Sequence, residues 1–151
     1  MATAKNLKEL EALIMKQVQE SLINDVSKKV IQVAQQHVVE DVYDVYEPVP
    51  PEYGGYKRTG KLATSFVTNE TESGIEIENN RYENGRNITE IIEYGHEDSA
   101  YGYEYPAYYP GGQNFIQPRP FIENTRDEIR ARNLHVEELK RSLNKKGIKT
   151  K

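Results

Sequence analysis

The chain has 151 residues, a formal net charge of −4 and a hydrophobic content of 36%, which suits one domain with a modest core. It has no cysteine and three scattered histidines, His37, His96 and His135, which excludes a disulfide scaffold, a thiol nucleophile and a Cys-type zinc site and opposes a His-rich metal centre. The start "MATAKNLKELEALIMKQ" sets charges among its apolar positions and lacks a small-residue cleavage site. No run reaches about 20 apolar residues, so a soluble intracellular product is expected.

Charge is unevenly spread. Val67 to Tyr105 holds ten acidic residues against Arg81 and Arg86, whereas Lys140 to Lys151 holds six lysines and arginines and no acid. A basic tail is weak evidence for nucleic-acid binding. Opposite-sign surfaces on one molecule suit a head-to-tail contact between copies at least as well. A thin core also fits a chain that gains stability from an assembly.

Leu7, Leu10, Ile14, Val18, Leu22, Val26, Val30, Val33 and His37 recur every three or four positions, with no glycine or proline between. This predicts a long amphipathic helix over about 5–43. His37 lies on the apolar stripe as a partly buried structural residue. The β-branched residues after Val26 lower helix propensity, so a break near Asn24–Asp25 is one outcome. "EPVPPEYGGYKRTG", Glu47 to Gly60, is a loop.

A small sheet region is expected over about 58–86. "KLATSFVTN" alternates Leu62, Thr64 and Phe66, and "GIEIEN" alternates Ile75 and Ile77 with Glu76 and Glu78, which predicts an antiparallel hairpin. Asn84–Gly85 marks a further turn. "NITEIIEYG" fits a short helix: Asn87 caps it, Glu90 stands three residues on, and Gly95 takes a left-handed end position. A strand competes there, because Ile88, Ile91 and Ile92 suit either.

Over 96–117 the chain is rich in tyrosine, proline and glycine, with Tyr101, Tyr103, Tyr105, Tyr108 and Tyr109 together. Aromatic faces stack on sugars or bases. Between Ile88 and Gln117, however, there is no lysine or arginine, and Glu93, Glu97, Asp98 and Glu104 would repel phosphate. A protein-contact loop is the better expectation; a loop packed on its own domain is the plainer alternative. A last helix over about 120–143 opens at Pro120, with Ile122, Ile129, Val136 and Leu143 recurring at seven, and 144–151 reads as a flexible basic tail.

Catalytic motifs are missing. "GYKRTGK" approaches a phosphate loop, but Leu62 follows Gly60–Lys61 where that motif needs Ser or Thr. Glu93, His96, Glu97 and Asp98 are too local to converge on a metal. No catalytic residue, metal, cofactor or small-molecule substrate is expected.

Three segments in fixed order, "RTGKLATSF" (Arg58–Phe66), "ITEIIEYGH" (Ile88–His96) and "QPRPFIENTRDEI" (Gln117–Ile129), resemble the tail-completion, or head–tail joining, proteins of long-tailed bacteriophages. Thr59, Gly60, Leu62 and Ser65 match the first motif, Ile92, Glu93, Tyr94 and Gly95 the second, and Pro118, Arg119, Pro120 and Phe121 the third. His96 stands where that family usually has Thr, and the stretch from Gly95 to Pro118 is longer than usual.

The resemblance implies a non-enzymatic virion protein, located in the tail or neck and in the host cytoplasm during assembly. It forms a ring, typically a hexamer, on the head-proximal end of the tail. Its implied partners are other copies of itself, the tail tube protein, the head completion or connector protein and the tail terminator; membrane and direct DNA binding are not expected. The implied fold is α+β, one domain over 1–139, with a long N-terminal and a C-terminal helix on a small antiparallel sheet. Within it, Gly60 would allow a tight entry into the first strand and Thr59 would bond its own backbone. Arg119 would hold a carboxylate, Glu93 being the candidate, and Phe121 would anchor the last helix. The alternative is a small non-catalytic module whose aromatic loop takes carbohydrate or nucleic acid.

Overall fold

A computed structural model describes residues 4–45, 58–97, 115–116 and 118–151. The fold is α+β, with a long N-terminal helix, two C-terminal helices and short antiparallel ladders. The chain divides into two compact units. One comprises Met1–Val33, Val67–Glu78 and Arg126–Lys151, and the other Ala34–Phe66 and Asn79–Thr125.

The N-terminal helix begins at α1 (Leu7–Ser21), where the Asn6 side chain accepts the Glu9 N–H and Glu9 accepts the Lys5 N–H at 2.7 Å. These bonds satisfy donors that a helix start leaves unpaired. In place of a break at Asn24–Asp25, the helix continues through a π-helical stretch, Leu22–Val26, into α2 (Ser27–His37) and a second π stretch, Val38–Tyr43. A π turn inserts a residue without ending the helix.

In the first unit, α1 and the first π stretch meet α6 (Leu134–Lys145). Ser21, Ser27 and Ser142 are all buried, and such small side chains let helices approach closely. Ser142 Oγ donates to Asp25 Oδ2, and Lys146 pairs with Glu20 at 3.5 Å. The hairpin β1 (Phe66–Thr71) and β2 (Gly74–Asn79) is tied to α1 where Gln19 Nε2 donates to the Gly74 carbonyl at 3.0 Å.

In the second unit the core is Val38, Val42, Leu62 and Phe121, with Tyr43, Ala63, Phe66 and Ile92 packed around it. Phe66 and Phe121 meet edge to face, ring centroids 6.5 Å apart, a favoured aromatic geometry. β3 (Tyr82–Glu83) pairs with β4 (Arg86–Asn87) across Asn84 and Gly85, both at positive φ; this is the primed turn that an Asn-Gly pair favours. The segment at Ile88 is helical: α4 (Ile88–Tyr94) is capped by Asn87 Oδ1, which accepts the Glu90 N–H at 3.3 Å. β5 (His96–Glu97) pairs with β6 (Phe115–Ile116), a ladder the sequence reading missed.

Three expectations are corrected. The first strand starts at Phe66, not Leu62, because Gly60 at φ 71 opens a helical turn, α3 (Lys61–Thr64), whose carbonyl at Lys61 accepts from Ser65 Oγ at 2.6 Å. Leu62 is thereby turned into the core.

The last helix is two, α5 (Phe121–Ala131) and α6, because Asn133 takes φ 52, which Asn tolerates better than most residues. The C-terminal tail is not loose at its root. Gly147 sits at φ 85, Ile148 N–H bonds the Leu143 carbonyl at 3.0 Å, and Thr150 N–H bonds Asn144 Oδ1 at 3.1 Å, a Schellman-type end.

An added Cβ at Gly60 meets no atom within 4 Å, so backbone strain alone opposes a side chain there. Gly60→Ala is expected to lose about 1–2 kcal/mol in urea unfolding, with the neighbouring exposed Lys61→Ala close to wild type.

Candidate functional site

A set of polar bonds in the second unit joins α4, the Pro118–Phe121 segment and the start of α5. Glu93 is 5% exposed. Its Oε2 accepts the Ile122 N–H at 2.9 Å and its Oε1 the Glu123 N–H at 3.0 Å. Pro120, just before the helix, carries no acceptor side chain, so α5 takes its cap from Glu93, on a different helix. A carboxylate at a helix start is favoured by the open N–H groups and by the macrodipole. One residue away, Arg119 N–H donates to the Ile92 carbonyl at 2.8 Å.

Glu93 is held in position from below. Thr89, buried on the same helix, donates to Asn79 Oδ1 at 2.8 Å, and Asn79 Nδ2 donates to the Leu62 carbonyl at 2.7 Å. Asn80 N–H bonds the Ser65 carbonyl at 2.8 Å. Asp41 receives two groups on one oxygen, His37 Nδ1 at 2.7 Å and Asn124 Nδ2 at 2.9 Å. Arg58 closes the other side: its Nη1 donates to the Tyr43 carbonyl at 3.0 Å, with the guanidinium 4.8 Å over the Tyr43 ring. A cation over a tyrosine at a helix end gains from both ring and dipole. Among the described residues, every buried side-chain nitrogen and oxygen has a partner.

The motif residues thus divide. Leu62 and Phe121 are buried in one cluster that Ile92 packs against, Glu93 and Arg119 bond across it, and Gly60 and Ser65 shape the turn that presents Leu62. Gly95, at φ 74 and ψ 172, takes a backbone state that only glycine enters readily and turns α4 into β5. Thr59 and Pro118 are exposed, and Tyr94 is 75% exposed. Tyr101, Tyr103, Tyr105, Tyr108 and Tyr109 lie outside the described residues.

Asp41, Asn79, Thr89 and Asn124 went unnoticed in the sequence, since the bonds from Asn124 to Asp41, from Asn79 to Leu62 and from Thr89 to Asn79 join different segments. Arg58 had a signal: a cation just upstream of the T-G pair. Among the described residues no three His, Asp or Glu side chains gather as a metal site, and no helix is long and apolar enough to cross a membrane.

In the first unit the outer part of α1 presents an apolar strip, Leu7, Leu10, Ile14 and Met15, between 37% and 84% exposed. Polar bonds thus tie the motif segments together in the second unit, and an apolar strip lies open on α1 in the first.

The chain belongs to the YomN family, whose model matches residues 6–145. It is 33% identical over 150 residues to the SPbeta prophage-derived uncharacterized protein YomN of Bacillus subtilis (strain 168), covering 97% of this chain and 99% of that protein. No solved structure matches the chain.

Glu93→Ala removes the acceptor that the Ile122 and Glu123 N–H groups share and is expected to cost about 3 kcal/mol in chemical denaturation. Glu93→Gln keeps one acceptor oxygen and should lose about half as much. Equal losses for the two variants would refute the double cap.

Proposed function

We propose that this chain is a structural virion protein that completes the head-proximal end of a phage tail, forming a ring that joins the tail tube to the head connector. The observation that carries the reading is the meeting of its three motif segments: Leu62, Ile92 and Phe121 in contact with one core, with Glu93 and Arg119 bonding between segments. Residues that resemble the tail-completion motifs in sequence are therefore parts of one built unit. The prophage origin of its B. subtilis relative supports the same reading, as does the open apolar strip of α1, which a monomer leaves in water. Ring neighbours, tail tube, head connector and tail terminator are the partners this role requires, and the chemistry required of the protein is contact alone.

Two experiments test the proposal. Size-exclusion with light scattering should give a defined complex or ring when the tail tube protein is added. Deleting the gene from an inducible phage should leave filled heads and separate tails in electron micrographs. Intact virions from the deletion would refute it. Arg119→Ala, at the junction of the second and third motifs, should lower both melting temperature and ring yield.

A further inference from the structure

Glu70, Glu72, Glu76 and Glu78 stand on the β1–β2 hairpin, with no lysine or arginine between Val67 and Asn80. All four are exposed, and among the described residues none makes an ion pair; Glu78 accepts only the Asn69 amide, at 3.1 Å. The hairpin is a sheet of two strands whose outer edges meet no further strand among the described residues. A hairpin of this kind is marginal alone in water, and open edges are templates for contact.

The same unit holds a patch of opposite sign. Lys145, Lys149 and Lys151 are exposed and, among the described residues, unpaired. Their neighbours Lys140, Arg141 and Lys146 already pair with Glu137, Glu138 and Glu20. The backbone carrying the three lysines is fixed by the bonds of Leu143 to Ile148 and of Asn144 to Thr150. A held patch loses less conformational freedom on contact than a loose tail.

Two unneutralised patches of opposite sign in one compact unit, which do not pair within the chain, are complementary between copies. That is the pattern of a heterologous, head-to-tail interface. We infer that in the ring proposed above, on which this rests, the acidic surface of the β1–β2 hairpin of one copy, centred on Glu76 and Glu78 side by side on β2, receives the C-terminal lysine cap of the next. A second copy is favoured over nucleic acid as occupant because the chain is acidic overall, at −4, and carries on its own surface the anionic face that the cap needs.

Charge exchange tests this on the full chain assembled with tail tubes at low salt. Glu76→Lys with Glu78→Lys, and separately Lys149→Glu with Lys151→Glu, should each weaken self-association roughly tenfold, with unchanged melting temperatures since all four positions are exposed. An equimolar mixture of the two variants should regain wild-type association, as should one chain carrying all four changes, and raised salt should weaken the wild type. If rings form on tails but either variant alone associates like wild type, or the mixture gains nothing, the inference falls while the ring stands. If the wild type never self-associates, or its cap retains duplex DNA without self-association, the inference is overturned with the ring.

Discussion

A buried carboxylate bridging two backbone N–H groups holds the second unit together. Glu93 is almost fully removed from water, and an ionised group there is tolerable only when strong donors replace its hydration. The first turn of α5 supplies them, and in return α5 gains the cap that Pro120 cannot give it. The dependence runs in both directions along the chain. The Asn84–Gly85 turn places Asn87, Asn87 starts α4, and α4 carries Thr89 onto Asn79 and Glu93 onto α5. Once α5 is fixed, Phe121 enters the core among Val38, Val42 and Leu62. Each link is a single bond or turn, and together the links join Asn79, α4 and α5 to the core residues Leu62 and Phe121.

The first unit is built differently. Its buried apolar residues are few, Val26, Val33, Ile129 and Leu143, and its helices meet through buried serines. Ser21 and Ser27 turn their hydroxyls back onto the carbonyls of Gln17 and Ile23, which satisfies them without a partner helix and is known to bend helices. The π stretch at Leu22–Val26 lies between them and carries Asp25, which meets Ser142. Close approach and polar ties thus replace volume in this interface. Such packing positions helices well and buries little apolar area, so the outer turns of α1 remain open along Leu7, Leu10, Ile14 and Met15.

What the sequence disclosed follows this physics. Helical periodicity over Leu7–Tyr43, the cap at Asn87 and the Asn84–Gly85 turn were legible because each rests on residues within one or two turns of each other. Gly95 ends α4 at positive φ but with ψ 172, outside the left-handed helical region expected of it. The π stretches were not legible, since their composition differs little from that of an ordinary helix. Alternation misled at Leu62: the period-two pattern through Thr64 is real, but Gly60 at φ 71 sets a helical turn that buries Leu62 by another route. Asn133 was a stop signal inside a heptad pattern, and the pattern hid it. Arg119 is expected to hold a carboxylate, with Glu93 the candidate, and the bonds seen on Glu93 come from the backbone of Ile122 and Glu123. Side-chain identity says little about a backbone donor thirty residues away.

The same clamp bears on the length of chain between Gly95 and Pro118. Ile92 and Arg119 bond at 2.8 Å, and two residue pairs further out, His96 with Ile116 and Glu97 with Phe115, continue the pairing as β5 and β6. The ends of the intervening segment are therefore held together by the scaffold, whatever its length. For a flexible loop between fixed ends, doubling the length costs only about 0.6 kcal/mol. Two charge-assisted bonds at Glu93 outweigh that. Additional length between Gly95 and Pro118 leaves the clamp, and hence the core behind it, undisturbed. The motifs answer to each other, through bonds that cross between their segments and do not depend on the length of chain between Gly95 and Pro118.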